Sequence, residues 1–331
     1  MSQSMLIDPF GRQIDYLRIS VTDRCDFRCT YCMDEDTQFL PRKDILTLEE
    51  IVHIATAYCS LGTKRIRITG GEPLVRKNIL WALEKIAALP GLEELTITTN
   101  GSQLAKMAKD LVNAGVSRLN ISLDTLKQDR FLELTRRDKL HQVLDGIDTA
   151  TRLPFKRIKM NAVILGGYND DEVEALAEFA FSKNMDISFI EEMPLGQISH
   201  HDRAKAYVSS DALYAQLAKR WKLSPSSNTT GGPSRYYDVL GQTGKIGFIS
   251  PHSYNFCSTC NRVRLTSEGR LLLCLGNEHS KDLKSIVRAN PNDQVILQQA
   301  IIDSLALKPE KHHFNLEEEP QILRFMSATG G

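Results

Sequence analysis

Six strand-like segments recur through the first two thirds of the chain, each followed by a helix-length run: Tyr16–Val21, Arg65–Thr69, Leu95–Thr99, Arg118–Leu123, Arg157–Val163 and Asp186–Ile190. The apolar spacing predicts helices over Leu48–Ser60, Lys77–Ala88, Leu104–Asn113, His141–Thr151, Asp171–Ser182 and Ser210–Arg220. Thr47 and Glu50 have the spacing of a capping box on the first of these helices. Repeated units of this length imply parallel strands joined by right-handed crossovers. Strands buried on both faces read as continuous apolar runs, but these alternate. Leu17, Ile19 and Val21 alternate with Arg18, Ser20 and Thr22, and Ile66 and Ile68 with Arg65, Arg67 and Thr69. Leu119, Ile121 and Leu123 alternate with Arg118, Asn120, Ser122 and Asp124; Leu95 and Ile97, and Ile158, Met160 and Ala162, repeat the pattern. Period two puts each set on one face. With helices over the apolar face, the polar face must line something wet. A curved, barrel-like sheet with a polar lumen fits. The alternative is a sheet with one solvent face, although β-α repeats normally cover both faces of an open sheet with helices.

After Trp221 the pattern changes. Ser224–Ser234 is rich in Ser, Thr, Gly and Pro and reads as a loop. Tyr236–Leu240 and Lys245–Ile249 then predict a hairpin around Gly241–Gly244, and helical patterns close the chain before a loop-like tail around Lys308–Glu319. At 331 residues the chain can hold one large domain, or a large and a small one. Its 41 Lys and Arg balance 41 Asp and Glu, so no global charge points to nucleic acid or a membrane surface. No apolar run is long enough to cross a bilayer, and Met1–Pro9 lacks a signal pattern. The expectation is a cytoplasmic protein, where stable disulfides are rare. The seven cysteines therefore need another explanation.

Cys25, Cys29 and Cys32 form C-x3-C-x2-C directly after the first strand. Thiolates are soft ligands that suit iron–sulfur clusters and zinc. Both ordinarily take four ligands, so a cluster on three thiolates keeps one iron open for a small molecule. Three inert buried cysteines would lack the charged flanks Asp23, Arg24, Asp26 and Arg28; a zinc site borrowing a fourth ligand is the other alternative. Cys257, Cys260 and Cys274 form C-x2-C-x13-C, again three thiolates. His252 and His279 flank this group and could complete a zinc site by ligand count. Cys59, alone on a predicted helix, reads as core packing.

C-x3-C-x2-C with Tyr31 just before the third cysteine resembles the signature of radical S-adenosylmethionine (SAM) enzymes. Thr69-Gly70-Gly71-Glu72-Pro73, after the second strand, is similar to the GGEP motif whose backbone binds the cofactor's amino group there. Cys257 and Cys260 followed by Asn261-Arg262-Val263-Arg264, a third cysteine at Cys274, and Gly330-Gly331 resemble the GTP 3′,8-cyclase (molybdenum cofactor biosynthesis protein A) family over essentially the whole chain. The resemblance implies an α/β fold: an incomplete parallel (β/α)6-type barrel over residues 1–223, closed by a C-terminal α+β region over 224–331 that carries a second cluster. It implies two [4Fe-4S] clusters, on Cys25, Cys29 and Cys32 and on Cys257, Cys260 and Cys274, with SAM as the further cofactor. SAM would meet Tyr31, Gly71, Ser122 and Met193. GTP would meet Arg18, Arg67, Thr98, Lys159, Arg262 and Arg264. No catalytic side chain is singled out. The implied lyase reaction converts GTP to (8S)-3′,8-cyclo-7,8-dihydroguanosine 5′-triphosphate, an early step of molybdenum cofactor biosynthesis. A 5′-deoxyadenosyl radical would take hydrogen from C3′, and C3′ would attack C8. The implied partners are an external one-electron reductant and a downstream cyclic pyranopterin monophosphate synthase. A homodimer is compatible with the family; nucleic acid and membrane are not implied.

The strand faces support this independently, since Arg18, Arg67, Thr98, Ser122 and Lys159 all lie on polar faces. A triphosphate needs several cations, and the arginine fork matches phosphate oxygens. Arg262 and Arg264, two apart in a predicted strand, point the same way. Each arginine alone would read as a solvated charge. The chain departs from the family at Met33-Asp34-Glu35-Asp36, where members commonly carry a proline, and at Met326-Ser327-Ala328-Thr329 before the glycines. His200-His201 and His312-His313 read as surface pairs, because neighbours in sequence do not share a helix face. Glu191-Glu192 could serve lumen chemistry or structure. Two other functions compete: a radical SAM peptide-modifying enzyme, whose extra domain usually holds more than three cysteines, and a non-catalytic iron–sulfur or zinc protein, which would need neither GGEP nor Tyr31.

Overall fold

The computed structural model describes residues 5–196, 202–312, 314, 322 and 324–330. Six parallel strands form its centre: β1 (Tyr16–Ser20), β2 (Arg65–Thr69), β3 (Glu94–Thr99), β4 (Arg118–Ser122), β5 (Arg157–Ile164) and β6 (Asp186–Glu191). Between them lie α1 (Leu48–Ser60), α2 (Ile79–Ala87), α3 (Leu104–Asn113), α4 (Gln128–Thr135), α5 (Leu140–Thr151) and α6 (Val173–Ser182). The helix α1 starts where its cap directs. Glu50 N donates to Thr47 Oγ1 at 3.1 Å, and Thr47 N donates to Glu50 Oε2 at 2.8 Å.

The C-terminal part adds β7 (Leu223–Pro225), β8 (Arg235–Val239), β9 (Lys245–Ile249), β10 (Arg262–Leu265), β11 (Arg270–Leu272) and β12 (Ser280–Asp282). The predicted hairpin is β8–β9. The strand β9 joins the sheet parallel to β6, and β10 joins it parallel to β1. The order is β12-β11-β10-β1-β2-β3-β4-β5-β6-β9-β8-β7, so C-terminal strands extend both ends of the six-strand arc. Among the described residues no hydrogen-bonded seam joins the edges β12 and β7, and the barrel is incomplete. Two helices, Leu283–Ala289 and Gln294–Ser304, follow, each capped by an aspartate at Asp282 and Asp293. Among the described residues no helix is long and apolar enough to cross a membrane.

The apolar strand faces pack under the helices: Leu17, Ile19, Ile66, Ile68, Ile97, Ile121 and Met160 are fully buried. Each such side chain contributes about 1.5–3 kcal/mol on leaving water. The polar faces are buried too. Ser20, Asn120 and Ser188 are 0% exposed, and Arg18, Arg67 and Lys159 lie at 7%, 5% and 4%. A solvent-facing sheet would leave these side chains wet; here they line an interior, as the alternation predicts.

Candidate active site

The loop after β1 carries the first three cysteines. It is pinned from below by α4, whose terminal carbonyls of Leu134 and Thr135 accept from Thr30 N and Arg28 N, both at 2.9 Å. Phe27 meets Phe131 of α4 edge-on, with ring centroids 5.6 Å apart. The loop then turns, with Cys32 N and Met33 N both donating to Cys29 O. Carboxylates surround it. Asp26 accepts from Asn100 Nδ2 and Ser102 Oγ, each at 2.7 Å, and Tyr31 donates its hydroxyl to Asp124 Oδ2 at 2.7 Å. Burial pushes Cys25 up to about 12, with Glu72 and Asp26 adding to the shift. Burial first, then Cys32 and Asp124, raises Cys29 well above its ordinary value. Such thiols give up their protons when a metal ligates them.

The glycine motif after β2 lies on this loop. Gly71 N donates to Thr22 O and Glu72 N to Arg24 O, each at 2.8 Å. A Cβ on Gly71 would stand 2.5 Å from Arg24 O, so only glycine allows the approach. Glu72 is fully buried and accepts from Leu74 N, Thr99 Oγ1 and Asn100 N at 3.0, 2.8 and 2.7 Å. Its carboxylate ties the motif to the end of β3. The divergent segment after Cys32 folds as a turn: Met33 is buried, and Thr37 N and Oγ1 both donate to Asp34 O.

The second cysteine group sits before and after the β10–β11 pair. Here the neighbours are cations. Lys308 Nζ stands 3.7 Å from Cys260 Sγ and Arg262 Nη2 4.0 Å from it. Burial raises the Cys260 thiol, but Arg262 and Lys308 outweigh it and bring it down to about 6. Burial raises Cys274. Of the flanking histidines, His279 is exposed and His252 Nε2 lies 2.9 Å from Glu192 O. Among the described residues the histidine that reaches the thiols is His312, with Nδ1 3.0 Å from Cys257 Sγ and Nε2 3.0 Å from Pro251 O. It is buried, not on the surface as its place in a histidine pair suggests, because the tail folds back over this site. His200, His201, His313 and Gly331 lie outside the described residues.

Register explains the cations. Arg264 of β10, Arg18 of β1 and Arg67 of β2 are direct lateral partners in three adjacent parallel strands, about 4.8 Å apart per step. The same row continues through Thr96 to Arg118 and Arg157. Arg118 pairs with Glu94 and Arg157 with Asp186. Among the described residues no carboxylate pairs with Arg264, Arg18, Arg67 or Arg262. Arg67 is held by Asn120 Oδ1 at 2.9 and 3.1 Å, with the amide turned to face it. Arg264 donates to Gly330 O. Arg18 Nε, Arg67 Nε, Arg262 Nη1 and Thr98 Oγ1 are buried without partners among the described residues. Burial, then Arg264 and Arg67, holds Arg18 well below its ordinary value; burial, Arg262 and Arg67 bring Arg264 down to about 10. Like charges set side by side repel, and an anion between them would relieve both the repulsion and the missing hydrogen bonds.

One cavity brings these parts together. All six clustered cysteines line it, with Tyr31, Gly71, Ser122 and Met193, and with Arg18, Arg67, Thr98, Arg262 and Arg264. Lys159 is buried on the same polar face but does not line it; its Nζ sits 5.9 Å from the centroid of the Tyr236 ring. Asn161, Asn100, Asp124, His312 and Met326 also line the cavity and were not singled out from sequence. Gly330 meets the same wall, where a Cβ would collide with Thr69 Oγ1. Glu191 accepts from Ser210 N, His252 N and Ser253 N, and Glu192 pairs with Arg203 at 3.2 Å. Both glutamates hold loops together. Cys59 is core.

This sheet and its motif-bearing loops define a class, and the comparisons agree on it. Residues 19–180 match the Radical SAM superfamily and residues 185–314 match Molybdenum Cofactor Synthesis C. Two solved structures of Streptococcus suis SuiB share the fold, one of them bound to S-adenosylmethionine. They are 16% identical, with TM-scores of 0.57 and 0.60, and cover 96% and 97% of this chain and 78% of theirs. The chain is a radical SAM protein. More narrowly, it belongs to the GTP 3′,8-cyclase family: it is 58% identical to the GTP 3′,8-cyclase of Ectopseudomonas mendocina over 100% of both chains. It is also 56% identical to GTP 3′,8-cyclase of Saccharophagus degradans and to GTP 3′,8-cyclase 2 of Pseudomonas aeruginosa, again over 100% of both.

Proposed function

We propose that this chain is a GTP 3′,8-cyclase, a lyase that converts GTP to (8S)-3′,8-cyclo-7,8-dihydroguanosine 5′-triphosphate in molybdenum cofactor biosynthesis. One observation carries the reading: two groups of three thiols face one cavity, beside a lateral row of three arginines that, among the described residues, no carboxylate neutralises.

The softness and number of the six thiols fit two clusters, each keeping one iron open. When bound, the first cluster would supply the one-electron cleavage that lets SAM's 5′-deoxyadenosyl group take hydrogen from C3′ of GTP. The protein's part is to bind, orient and exclude water. Tyr31, Gly71, Ser122 and Met193 would hold SAM. Tyr31 is fixed for this by Asp124, and Gly71 by the backbone bonds to Thr22 and Arg24. Arg18, Arg67 and Arg264 would take the triphosphate, with Thr98 and Arg262 beside them. Lys159 would add positive charge from behind the cavity wall, beside Tyr236. Residues 1–223 would then form the radical-generating barrel and 224–331 the substrate and second-cluster region, although one sheet runs through both. An external one-electron reductant, a homodimer, a cytoplasmic setting and a downstream synthase belong to this reading as further expectations.

The test is anaerobic reconstitution followed by iron counting and incubation with SAM, reductant and GTP. About eight irons per chain, GTP-dependent 5′-deoxyadenosine and a cyclised nucleotide are expected for two four-iron clusters. No 5′-deoxyadenosine above a no-GTP control, and no cyclised product, would overturn the reading.

A further inference from the structure

Lys308 lies in the tail, in a segment that no motif marks. Its side chain enters the protein behind the second cysteine group and is 3% exposed. An ammonium has three donors, and all three are used. Nζ donates to Leu273 O at 2.6 Å, to Arg262 O at 2.9 Å and to Cys260 Sγ at 3.7 Å. Leu273 O belongs to the peptide bond that leads into Cys274, and Arg262 follows Cys260 by two residues, so one side chain braces the backbone of two candidate ligands. Among the described residues no carboxylate pairs with this buried cation. Burying an ammonium without a counter-charge costs several kcal/mol, and the negative group it faces is a cysteine sulfur.

The segment is also locked in place. Arg12 Nη1 donates to Glu310 O at 2.7 Å and to Cys257 O at 2.8 Å, and Arg12 Nη2 donates to Pro309 O at 2.7 Å. Asp8 holds Arg12 in turn. One guanidinium therefore ties the residues just after Lys308 to the first cysteine of the group. Lys308 does not line the cavity, unlike Arg262. Its place is behind the thiol, where it reaches the sulfur and not the substrate.

We propose that Lys308 is a positioning residue of the second cluster, whose ammonium compensates the charge on Cys260 and raises the cluster's reduction potential. This rests on the two-cluster reading above. Hydrogen bonds and positive charge at cluster sulfurs stabilise the more negative, reduced state.

The test uses the full-length chain carrying Cys25→Ser, Cys29→Ser and Cys32→Ser, so that only the second cluster remains, titrated anaerobically against a potentiometric mediator series. Lys308→Met is expected to keep its iron and to lower the one-electron reduction equilibrium about tenfold or more, about 59 mV. Lys308→Arg should restore most of the shift. If Lys308→Met holds no iron, Lys308→Gln, which keeps donors and loses the charge, is titrated instead and must fall below Lys308→Arg. Pulsed EPR of the reduced second cluster without any change at Lys308 gives an independent check. A strongly coupled exchangeable deuteron at a cluster sulfur is expected in deuterated buffer, and its absence would overturn the proposal. A potential that does not move when the charge is removed overturns it equally. A chain that takes zinc and no iron at these cysteines overturns the two-cluster reading, and this inference with it.

Discussion

The two cysteine groups share a cavity but live in opposite electrostatic surroundings. Around Cys25, Cys29 and Cys32 the nearby ionisable groups are the carboxyls of Asp26, Glu72 and Asp124, and burial, with these carboxyls adding to it, pushes the first two thiols up. Around Cys257, Cys260 and Cys274 the nearby charges are Arg262, Arg264 and Lys308, and Cys260 is brought down to about 6. SAM carries a sulfonium and an ammonium; GTP carries a triphosphate. The acidic side suits the first and the basic side the second. On the proposed reading, the same ligand type, three thiolates with one place open, would be given two partners by the groups that surround it.

The largest expected effects, up to roughly 150-fold in affinity, come from Gly71 on the acidic side and Arg264 on the basic side. The Cβ of Gly71→Ala would press on the carbonyl of Arg24, a backbone atom that cannot swing away. Overpacking of this kind costs about 1–3 kcal/mol, up to a roughly 150-fold loss of SAM affinity, while GTP affinity holds. A variant that loses both ligands equally would break the separation of the two sides.

Asp124 sharpens the acidic side. Burial raises its carboxyl to about 6, despite the hydrogen bonds from Tyr31 and Val163. The folded state therefore favours the neutral form. Wild type without ligands should lose stability relative to Asp124→Asn as pH rises from about 4 to about 6, by up to about 3 kcal/mol. The difference should be flat above that range. Denaturant melts across the range check this, and a difference that grows with falling pH would contradict it. In the same variant SAM binding should weaken and GTP binding should not.

Arg264→Ala tests the basic side. Losing a charge-assisted hydrogen bond costs about 1.5–3 kcal/mol, so GTP should bind roughly tenfold to 150-fold more weakly in a direct titration, with both clusters retained and SAM affinity unchanged. Arg118→Ala is the comparison, because Arg118 stands in the same lateral row but is already paired with Glu94. It should leave GTP affinity within about twofold, as expected for a cation with its own partner.

Much of this was legible in the chain. The bounds of α1 and α3 match the apolar periodicity, the capping box forms as its spacing implies, and the alternation of β1 to β5 revealed a buried polar interior before any topology was known. The helix α4 was missed. Its sequence, Gln-Asp-Arg-Phe-Leu-Glu-Leu-Thr, buries only Phe131, Leu134 and Thr135, too few for a clear stripe, yet it pins the cysteine loop. The pairing of β10 with β1 was also invisible, because a parallel register between residues some 250 apart leaves no local signature. That register puts Arg264 beside Arg18. Depth was hidden as well: Lys159 was placed on the correct face, but alternation says nothing of which cavity a long side chain reaches. Lys308 and His312 come from a segment with no periodicity, and only the backward fold of the tail brings them to the thiols.

The central claim is that each cysteine group serves a different ligand, SAM on the acidic side and GTP on the basic side. It is tested most directly by measuring SAM and GTP affinity on two triple variants under anaerobic conditions: Cys25→Ser/Cys29→Ser/Cys32→Ser, and Cys257→Ser/Cys260→Ser/Cys274→Ser. The expected result is a crossed pattern, in which the first variant loses SAM and keeps GTP while the second keeps SAM and binds GTP much more weakly. Loss of both ligands from the same variant, with the other variant binding both as wild type does, would contradict the account.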